Sequence, residues 1–197
     1  LLSHFNKRKK IFLNESSKKL AILLNTKKIK SLVFFNYIPE LNKFLFWCQQ
    51  LIAESLGKNK KGFLPIISPA PKDHHSLLQL YLDGPKDKLF YVFSDNSIRN
   101  KNIKINTKIF DKKLNFMNNK DLSKIKMAQK NAFLQVLKNN QIPHREFKIS
   151  AFNEESIGEL FAYFMLETAI IGKLANLNPF NQPAVESVKV KTKNFLA

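Results

Sequence analysis

Stretches of helical periodicity alternate along this chain with short apolar runs rich in Phe, Ile and Val. Apolar residues that recur every three or four positions are typical of an amphipathic helix, whereas a short continuous apolar run between turn residues is typical of a buried strand. Three such runs predict strands: "SLVFFNY", "GFLPIIS" and "KLFYVFS", which begin at residues 31, 62 and 88. We predict a fourth strand in "HREFKIS", which begins at residue 144. The helical pattern predicts helices over residues 16–24, 41–56, 73–82, 121–139, 154–176 and 183–195.

This order of elements predicts the fold class. Strands that are apolar throughout, rather than at every second position, are covered on both faces. When such strands alternate with helices, they form a parallel sheet with helices on both sides. We therefore predict an α/β fold, a three-layer αβα sandwich with a mainly parallel sheet, in a chain whose 197 residues suit about one domain.

Local signals mark several boundaries. Asp73 is a good N-cap for the helix that follows "SPAPK", and Gly57 can take the left-handed conformation that ends many helices. Pro183 suits the first position of the last helix because its missing N–H needs no partner there. The polar stretch over about residues 95–120 has little helical pattern and is predicted to be a hairpin or surface excursion.

The charge of the chain is strongly positive, with 33 Lys and Arg residues against 15 Asp and Glu residues, a net charge of +18. Such a field attracts polyanions without a specific site. However, only Arg8, Arg99 and Arg145 carry the planar fork that favours bidentate phosphate and base contacts, and no known nucleic-acid-binding motif occurs. We interpret the charge mainly as a solvated Lys surface, with no specific nucleic acid partner; a polyanion partner is the less favoured alternative.

Cellular location is constrained by cysteine usage and by the most apolar run. Cys48 is the single cysteine, which excludes an intrachain disulfide and favours the reducing cytoplasm. The run that begins at Leu160 is interrupted by Glu167 and Lys173, so it predicts a buried helix rather than a membrane span. We expect a cytoplasmic protein with no signal peptide and no membrane partner.

Four side chains are candidates for chemistry. In parallel sheets, ligands bind beyond the carboxyl ends of the strands, which directs attention to "SPAPKDHHS" and to His75 in the first turn of the next helix. Glu54 lies in the last turn of the helix over 41–56, and Gln182 and Lys189 stand two helical turns apart, so both could lie on one face. Each has an ordinary alternative: an exposed helix former for Glu54, a cap for His75 and a solvated lysine face for Lys189.

Three motifs together resemble the second half of the glucose-6-phosphate isomerase family. They are "FWCQQLIAESLGK", "GFLPIISPAPKDHHSLLQLYLDGPKDKLFYVF" and "NPFNQPAVESVKV", and the resemblance spans most of residues 31–195 in the family's order. It implies that residues 1–197 are a carboxy-terminal, flavodoxin-like sugar isomerase domain with a last helix over 183–195. It also implies an aldose–ketose isomerase of glycolysis and gluconeogenesis, which interconverts glucose 6-phosphate and fructose 6-phosphate through a cis-enediol and needs no metal or organic cofactor.

The resemblance also implies a role for each candidate. Glu54 matches the catalytic base that moves a proton between C2 and C1 of the open-chain sugar. His75 matches a histidine that helps open the sugar ring and that reaches the site from the partner subunit, which implies a homodimer. Lys189 matches a lysine that assists ring opening, and Gln182 matches a glutamine that contacts the substrate, while Glu186 matches a glutamate to which we assign no role.

Some features depart from the family pattern. His74 stands where Gln is usual, and Ala184 stands where Gly is expected. The family's Ser/Thr-rich phosphate-binding loop and its Gly-Gly-Arg segment have no counterpart in this sequence, and the chain starts at Leu1 rather than Met. We therefore expect a fragment of a longer protein that supplies the phosphate site. A non-catalytic sugar-phosphate-binding domain is the alternative, although retention of Glu54, His75 and Lys189 argues against it.

Overall fold

A computed structural model describes residues 7–95, 103–107 and 112–197. Every predicted strand is present, and the first helix begins earlier than predicted, at Lys7. The elements in chain order are α1 (Lys7–Thr26), β1 (Ser31–Asn36), α2 (Asn42–Leu56), β2 (Leu64–Pro69), α3 (Asp73–Ser76), α4 (Leu78–Asp83), β3 (Lys88–Asp95), α5 (Leu122–Asn139), β4 (His144–Ile149), α6 (Glu154–Leu174) and α7 (Pro183–Leu196). Short 3-10 helices occupy Pro39–Leu41 and Lys112–Met117.

The strands form one four-stranded parallel sheet in the order β2-β1-β3-β4. The central strands β1 and β3 are buried along nearly their whole length, whereas the edge strands β2 and β4 are partly exposed. In the pairing of β3 with β4, Phe90 lies opposite His144 and Asp95 lies opposite Ile149. The prediction of an α/β fold built on a parallel sheet is confirmed.

The chain divides into two compact units. One unit contains Leu1–Ser31, Phe44–Pro65 and Glu154–Ala197, and the other contains Leu32–Lys43 and Ile66–Asn153. The first unit therefore holds α1, most of α2, α6 and α7, and the second holds most of the sheet together with α3, α4 and α5.

Aromatic rings form the core of the second unit. Phe35 of β1 and Phe133 of α5 lie 4.3 Å apart between ring centroids, and Phe133 meets Phe90 of β3 edge-on at 5.8 Å. Tyr81 of α4 contacts Phe90 in the same way at 5.2 Å, and all four side chains are buried. Such ring pairs contribute about 0.5–1.5 kcal/mol beyond the area that they bury. They hold α4 and α5 against one face of β1 and β3.

The helix predicted over residues 73–82 is two short helices that break at Leu77. The prediction that Asp73 caps this helix is wrong, because Asp73 lies inside the first turn and its carboxylate accepts a hydrogen bond from Ser68 Oγ at 2.6 Å. Tyr81 donates to the same Ser68 hydroxyl at 3.3 Å. The buried Asp73 carboxylate thus ties α3 to the end of β2, a tertiary partner that the local sequence does not reveal.

The polar stretch near residues 95–120 is described in part. Lys104 pairs with Asp121 in an antiparallel bridge, and Ile105 exchanges backbone hydrogen bonds with Lys120 and Asn119 at 3.1 and 2.8 Å. This pairing has the form of a short hairpin stem. Residues 96–102 and 108–111, on which the rest of the prediction falls, lie outside the described residues.

The first unit is built on the contact of α1 with α6. Ser16 Oγ and Tyr163 OH both donate to the buried Glu167 carboxylate, at 2.9 and 2.8 Å. Trp47 of α2 contacts Phe161 of α6 edge-on at 4.5 Å between ring centroids.

Burial first, and then the nearby Glu167 carboxylate, raise the pKa of the Cys48 thiol. In the part of the chain that the structure describes, no helix, α6 included, is long and apolar enough to cross a membrane.

The end of α2 is shaped by Gly57, although not in the predicted way. Gly57 is not left-handed; the left-handed residues of this turn are Asn59 and Lys60, with φ of 52° and 59°. Gly57 is required for a steric reason, since a Cβ atom there would lie 2.5 Å from the carbonyl oxygen of Ala53. The last turn of α2, which carries Glu54, can close only because residue 57 has no side chain.

We expect Phe35→Ala to lower the free energy of unfolding by about 3–5 kcal/mol, because it empties a site that is fully buried against Phe133. Urea denaturation measures the change. Phe116→Ala is the matched control, since Phe116 is 73% exposed and its loss should cost less than about 0.5 kcal/mol. Equal losses in the two variants would contradict the aromatic core described above.

We expect Gly57→Ala to destabilise the protein by about 1–3 kcal/mol, because the new methyl group must push the last turn of α2 away. Gly158→Ala is the opposite case: Gly158 lies within α6 with no atom near its Cβ position, so alanine should stabilise the helix by about 0.5–1 kcal/mol. Thermal unfolding of both variants tests the pair, and a neutral Gly57→Ala would show that this turn tolerates a side chain.

Candidate active site

Glu54 and Gln182 lie together in the first unit. Gln182 Nε2 donates a hydrogen bond to Glu54 Oε2 at 2.7 Å, across 128 positions of sequence. Gln50, one turn earlier on α2, donates to the other carboxylate oxygen, Oε1, at 3.0 Å. Both oxygens of the half-buried carboxylate are therefore held by amide donors, which restrict the orientation of the Glu54 side chain.

The start of α7 explains why Gln182 can reach α2. Gln182 is the N-cap residue, with the non-helical φ of −140°, and Pro183 follows at the start of the helix as predicted. The backbone N–H groups of Val185 and Glu186 donate to the Gln182 carbonyl at 3.1 and 3.2 Å. Ala184, where the family pattern has Gly, lies inside α7 and is not at positive φ, so this departure carries no backbone strain.

An open cleft of about 470 Å³ lies at this point. Its walls are the end of α2, with Glu54, and the segment that leads into α7, with Asn178, Asn181 and Gln182. The volume falls within the range of small-molecule sites, and amide and carboxylate groups line the cleft. A ligand with several hydroxyl groups would find both donors and acceptors here.

Lys58 also lines this cleft, and the sequence reasoning missed it. Its Nζ donates to the Ser55 carbonyl at 3.1 Å and to the Asn178 carbonyl at 2.5 Å. Burial lowers the pKa of Lys58, and the neighbouring Glu54 carboxylate opposes that shift. The available signal was its position directly after the glycine that ends α2, where a lysine can bind the free carbonyls of the last helical turn.

Lys189 is placed differently from Glu54 and Gln182. It is exposed on α7, its Nζ donates to Glu186 Oε1 at 2.7 Å, and it is not among the residues that line the cleft. An exposed ion pair of this kind contributes little stability, so the lysine can leave it at small cost. The structure thus brings together two of the predicted residues, Glu54 and Gln182, and leaves Lys189 on the helix surface.

His75 belongs to the second unit, where it is exposed in α3 and its backbone N–H donates to the Lys72 carbonyl at 3.0 Å. The adjacent His74 is half-buried, with its ring 5.3 Å from that of Phe35, and its Nε2 is hydrogen-bonded to Tyr37 OH at 2.6 Å. Burial first, and then His75, lower the pKa of His74, while burial raises the pKa of Tyr37. His74, which replaces the usual Gln, therefore anchors the turn that presents His75.

The lowered pKa of His74 predicts a pH dependence of stability. As the pH falls below about 6.5, the unfolded chain binds a proton at this residue before the folded chain does, so the free energy of unfolding declines. His74→Gln keeps a hydrogen-bonding partner for Tyr37 but does not titrate, so this decline should become smaller. Urea denaturation between about pH 7.5 and 5 measures the slope. An unchanged slope in the variant would contradict the assignment.

His, Cys, Asp and Glu are the side chains that most often bind metal ions in proteins. Across residues 7–95, 103–107 and 112–197, no group of three or more His, Cys, Asp or Glu side chains is placed to hold a metal ion. The chemistry that the cleft offers is that of one carboxylate, four side-chain amides and one ammonium group. Such a set can orient hydroxyl groups and accept a proton.

The chain is similar in sequence to proteins named glucose-6-phosphate isomerase. The chain is 36% identical to glucose-6-phosphate isomerase of Methanocaldococcus jannaschii over 163 residues, which are 80% of this chain and 38% of that protein. It is 40% identical to the probable glucose-6-phosphate isomerase of Methanococcus maripaludis over 154 residues, which are 78% of this chain and 34% of that protein. The chain thus spans less than two fifths of the length of these relatives. No protein-family model matches it.

Two solved structures share the fold. A hypothetical protein from Thermus thermophilus superposes with a TM-score of 0.79 at 28% identity, covering 91% of this chain and 44% of that one. A glucose-6-phosphate isomerase from Chlamydia trachomatis superposes with a TM-score of 0.74 at 16% identity, covering 93% of this chain and 38% of that one. Since the relatives that match this chain at 31–40% identity carry one name, the chain belongs to the glucose-6-phosphate isomerase family.

Proposed function

We propose that this chain is part of an enzyme that interconverts glucose 6-phosphate and fructose 6-phosphate, a reaction of glycolysis and gluconeogenesis. The observation that carries the proposal is the hydrogen-bonded pair of Glu54 and Gln182 in an open cleft, formed by two of the motifs on which the family resemblance rests. The names of the relatives support the same activity. A non-catalytic sugar-phosphate-binding domain is not favoured.

Glu54 is the catalytic base in this proposal. Its carboxylate takes the proton from C2 of the open-chain aldose, which gives the enediolate form of a cis-enediol, and returns that proton to C1. Over the two steps O1 gains a proton and the O2 hydroxyl loses one, so the product is the ketose. To do so, one carboxylate oxygen must exchange an amide donor for the substrate C–H. Gln182 is suited to this exchange, because its amide can turn from Glu54 Oε2 to a substrate hydroxyl while Gln50 still holds Oε1. We therefore assign Gln182 to substrate binding.

His75 and Lys189 are proposed to act in ring opening, as a proton relay and as a cation near the ring oxygen. Both are exposed, which leaves them accessible to a substrate or to another part of the protein. Lys189 would leave the exposed ion pair with Glu186 to act. We also propose that His75 serves the site of a partner subunit, so that the active enzyme is a homodimer.

The remainder of the site is assigned to residues outside this chain. We propose that residues 1–197 form the carboxy-terminal sugar isomerase domain of a longer polypeptide, which supplies the phosphate-binding loop and the positive charge that stabilises the enediolate. The 197-residue chain alone should then be inactive. We place the enzyme in the cytoplasm, consistent with the single cysteine of this chain, Cys48, which is buried and free.

The proposal is tested by Glu54→Gln in the longer protein. The amide keeps the size of the side chain: its oxygen can accept from Gln182, and its NH₂ group can donate to the Gln50 amide if that amide turns to present its oxygen, but it cannot take up the substrate proton. We expect the rate of fructose 6-phosphate conversion to fall by about 10²–10⁴-fold. A coupled assay for glucose 6-phosphate measures the rate, and thermal unfolding should show no loss of stability.

Glu155→Gln is the matched control, because Glu155 is an exposed carboxylate of α6 outside the cleft, and this variant should keep full activity. Retained activity in Glu54→Gln would remove Glu54 from its role as base. A large loss of stability in that variant would instead return it to a structural role.

A further inference from the structure

The loop that joins α2 to β2 contains three lysines in the sequence "GKNKKG", and two of them point back into the first unit. Lys61 Nζ donates to Asn25 Oδ1 at 2.8 Å and to the Ala175 carbonyl at 2.9 Å. Lys58 Nζ donates to the Ser55 and Asn178 carbonyls, as described above. Each ammonium group therefore bridges two segments that are distant in sequence.

Each of the two lysines binds one carbonyl group at the end of a helix. Ser55 lies in the last turn of α2, and Ala175 directly follows α6. The last four carbonyl groups of a helix have no partner within it, and they carry the negative end of the helix dipole. A lysine ammonium group suits this position for two reasons: it donates hydrogen bonds to the unpartnered carbonyl groups, and its positive charge lies at the negative end of the dipole.

Lys58 lines the same cleft as Glu54 and Gln182. Ser55 directly follows Glu54, and Asn178 precedes Gln182 by four residues. Lys58 thus joins the same two segments as the hydrogen bond between Glu54 and Gln182. A single hydrogen bond between partly exposed side chains is readily exchanged for water, because its net contribution is small. A second tether beside it keeps the two walls of the cleft at the distance that the bond requires.

We propose that Lys58 is a positioning residue, whose ammonium group clamps the segment before α7 to the end of α2 and so holds Gln182 against Glu54. Lys58 does not need to touch the substrate for this role. Its importance for catalysis rests on the proposed isomerase function, whereas the clamp itself can be tested without any substrate.

The side-chain amide resonance of Gln182 in ¹H–¹⁵N NMR spectra of the 197-residue chain reports on the clamp. Because this amide donates to Glu54, its chemical shift should change when acid protonates the carboxylate, and Glu54→Gln should abolish that change. In Lys58→Met we expect the change to shrink to less than about half of its original size, since Gln182 leaves the carboxylate. Lys58→Arg, which keeps a charged donor, should restore most of it.

Lys60→Met is the matched control, because Lys60 is exposed in the same loop and the substitution removes one positive charge in the same way. It should leave the Gln182 titration intact. A full titration in Lys58→Met, or an equal loss in Lys60→Met, would overturn the proposal. If Lys58→Met does not fold, the same titration in Lys58→Gln tests the proposal, because the shorter glutamine side chain cannot bridge the Ser55 and Asn178 carbonyls. An absence of isomerase activity would contradict the proposed function without affecting this result, since the spectra require no sugar phosphate.

Discussion

Burial of the two central strands between layers of apolar side chains is the constraint on which the rest of the structure depends. Every residue from Leu32 to Asn36 of β1 and from Lys88 to Ser94 of β3 is buried, so each backbone polar group there requires a hydrogen-bond partner. Pairing of neighbouring strands provides those partners. Alternate side chains point to opposite faces: Phe35 contacts Phe133, whereas Phe34 contacts the ring of Tyr91 at 6.0 Å. The side chains of β1 and β3 therefore pack on both faces of the sheet.

Some of the many lysines make structural hydrogen bonds, in addition to the lysines that are solvated on the surface. Lys58, Lys61 and Lys86 donate to carbonyls at or just beyond the ends of α2, α6 and α4. Lysines are suited to these places because each has a long flexible stem and three donors. The interpretation of the charge as a solvated surface is therefore incomplete. Part of the positive charge lies at helix ends, and Lys58 places it at the end of α2, which borders the candidate site.

Glu54 and Gln182 of the candidate site lie close together in space but far apart in sequence. Gln182 reaches Glu54 because Pro183 starts α7 at a defined residue, which leaves the N-cap side chain outside the helix. Gly57 contributes by the absence of a side chain, since it allows the last turn of α2 to close. Lys189 and His75 are held on their own elements, by Glu186 and by the anchored turn at His74 respectively. Local sequence at Gly57 and at Pro183 therefore positions the proposed base and its amide partner, while the proposed ring-opening residues stay accessible.

The sequence alone determined the elements and their class, because apolar periodicity reports directly on which face of each helix or strand is buried. It also identified Glu54 and Gln182, since motifs in a defined order carry the family resemblance. Two features were decided only by tertiary structure: the hydrogen bond from Ser68 that removes Asp73 from capping, and the bridging contacts of Lys58. Each depends on a partner contributed by another segment, and no local pattern of residues encodes that proximity.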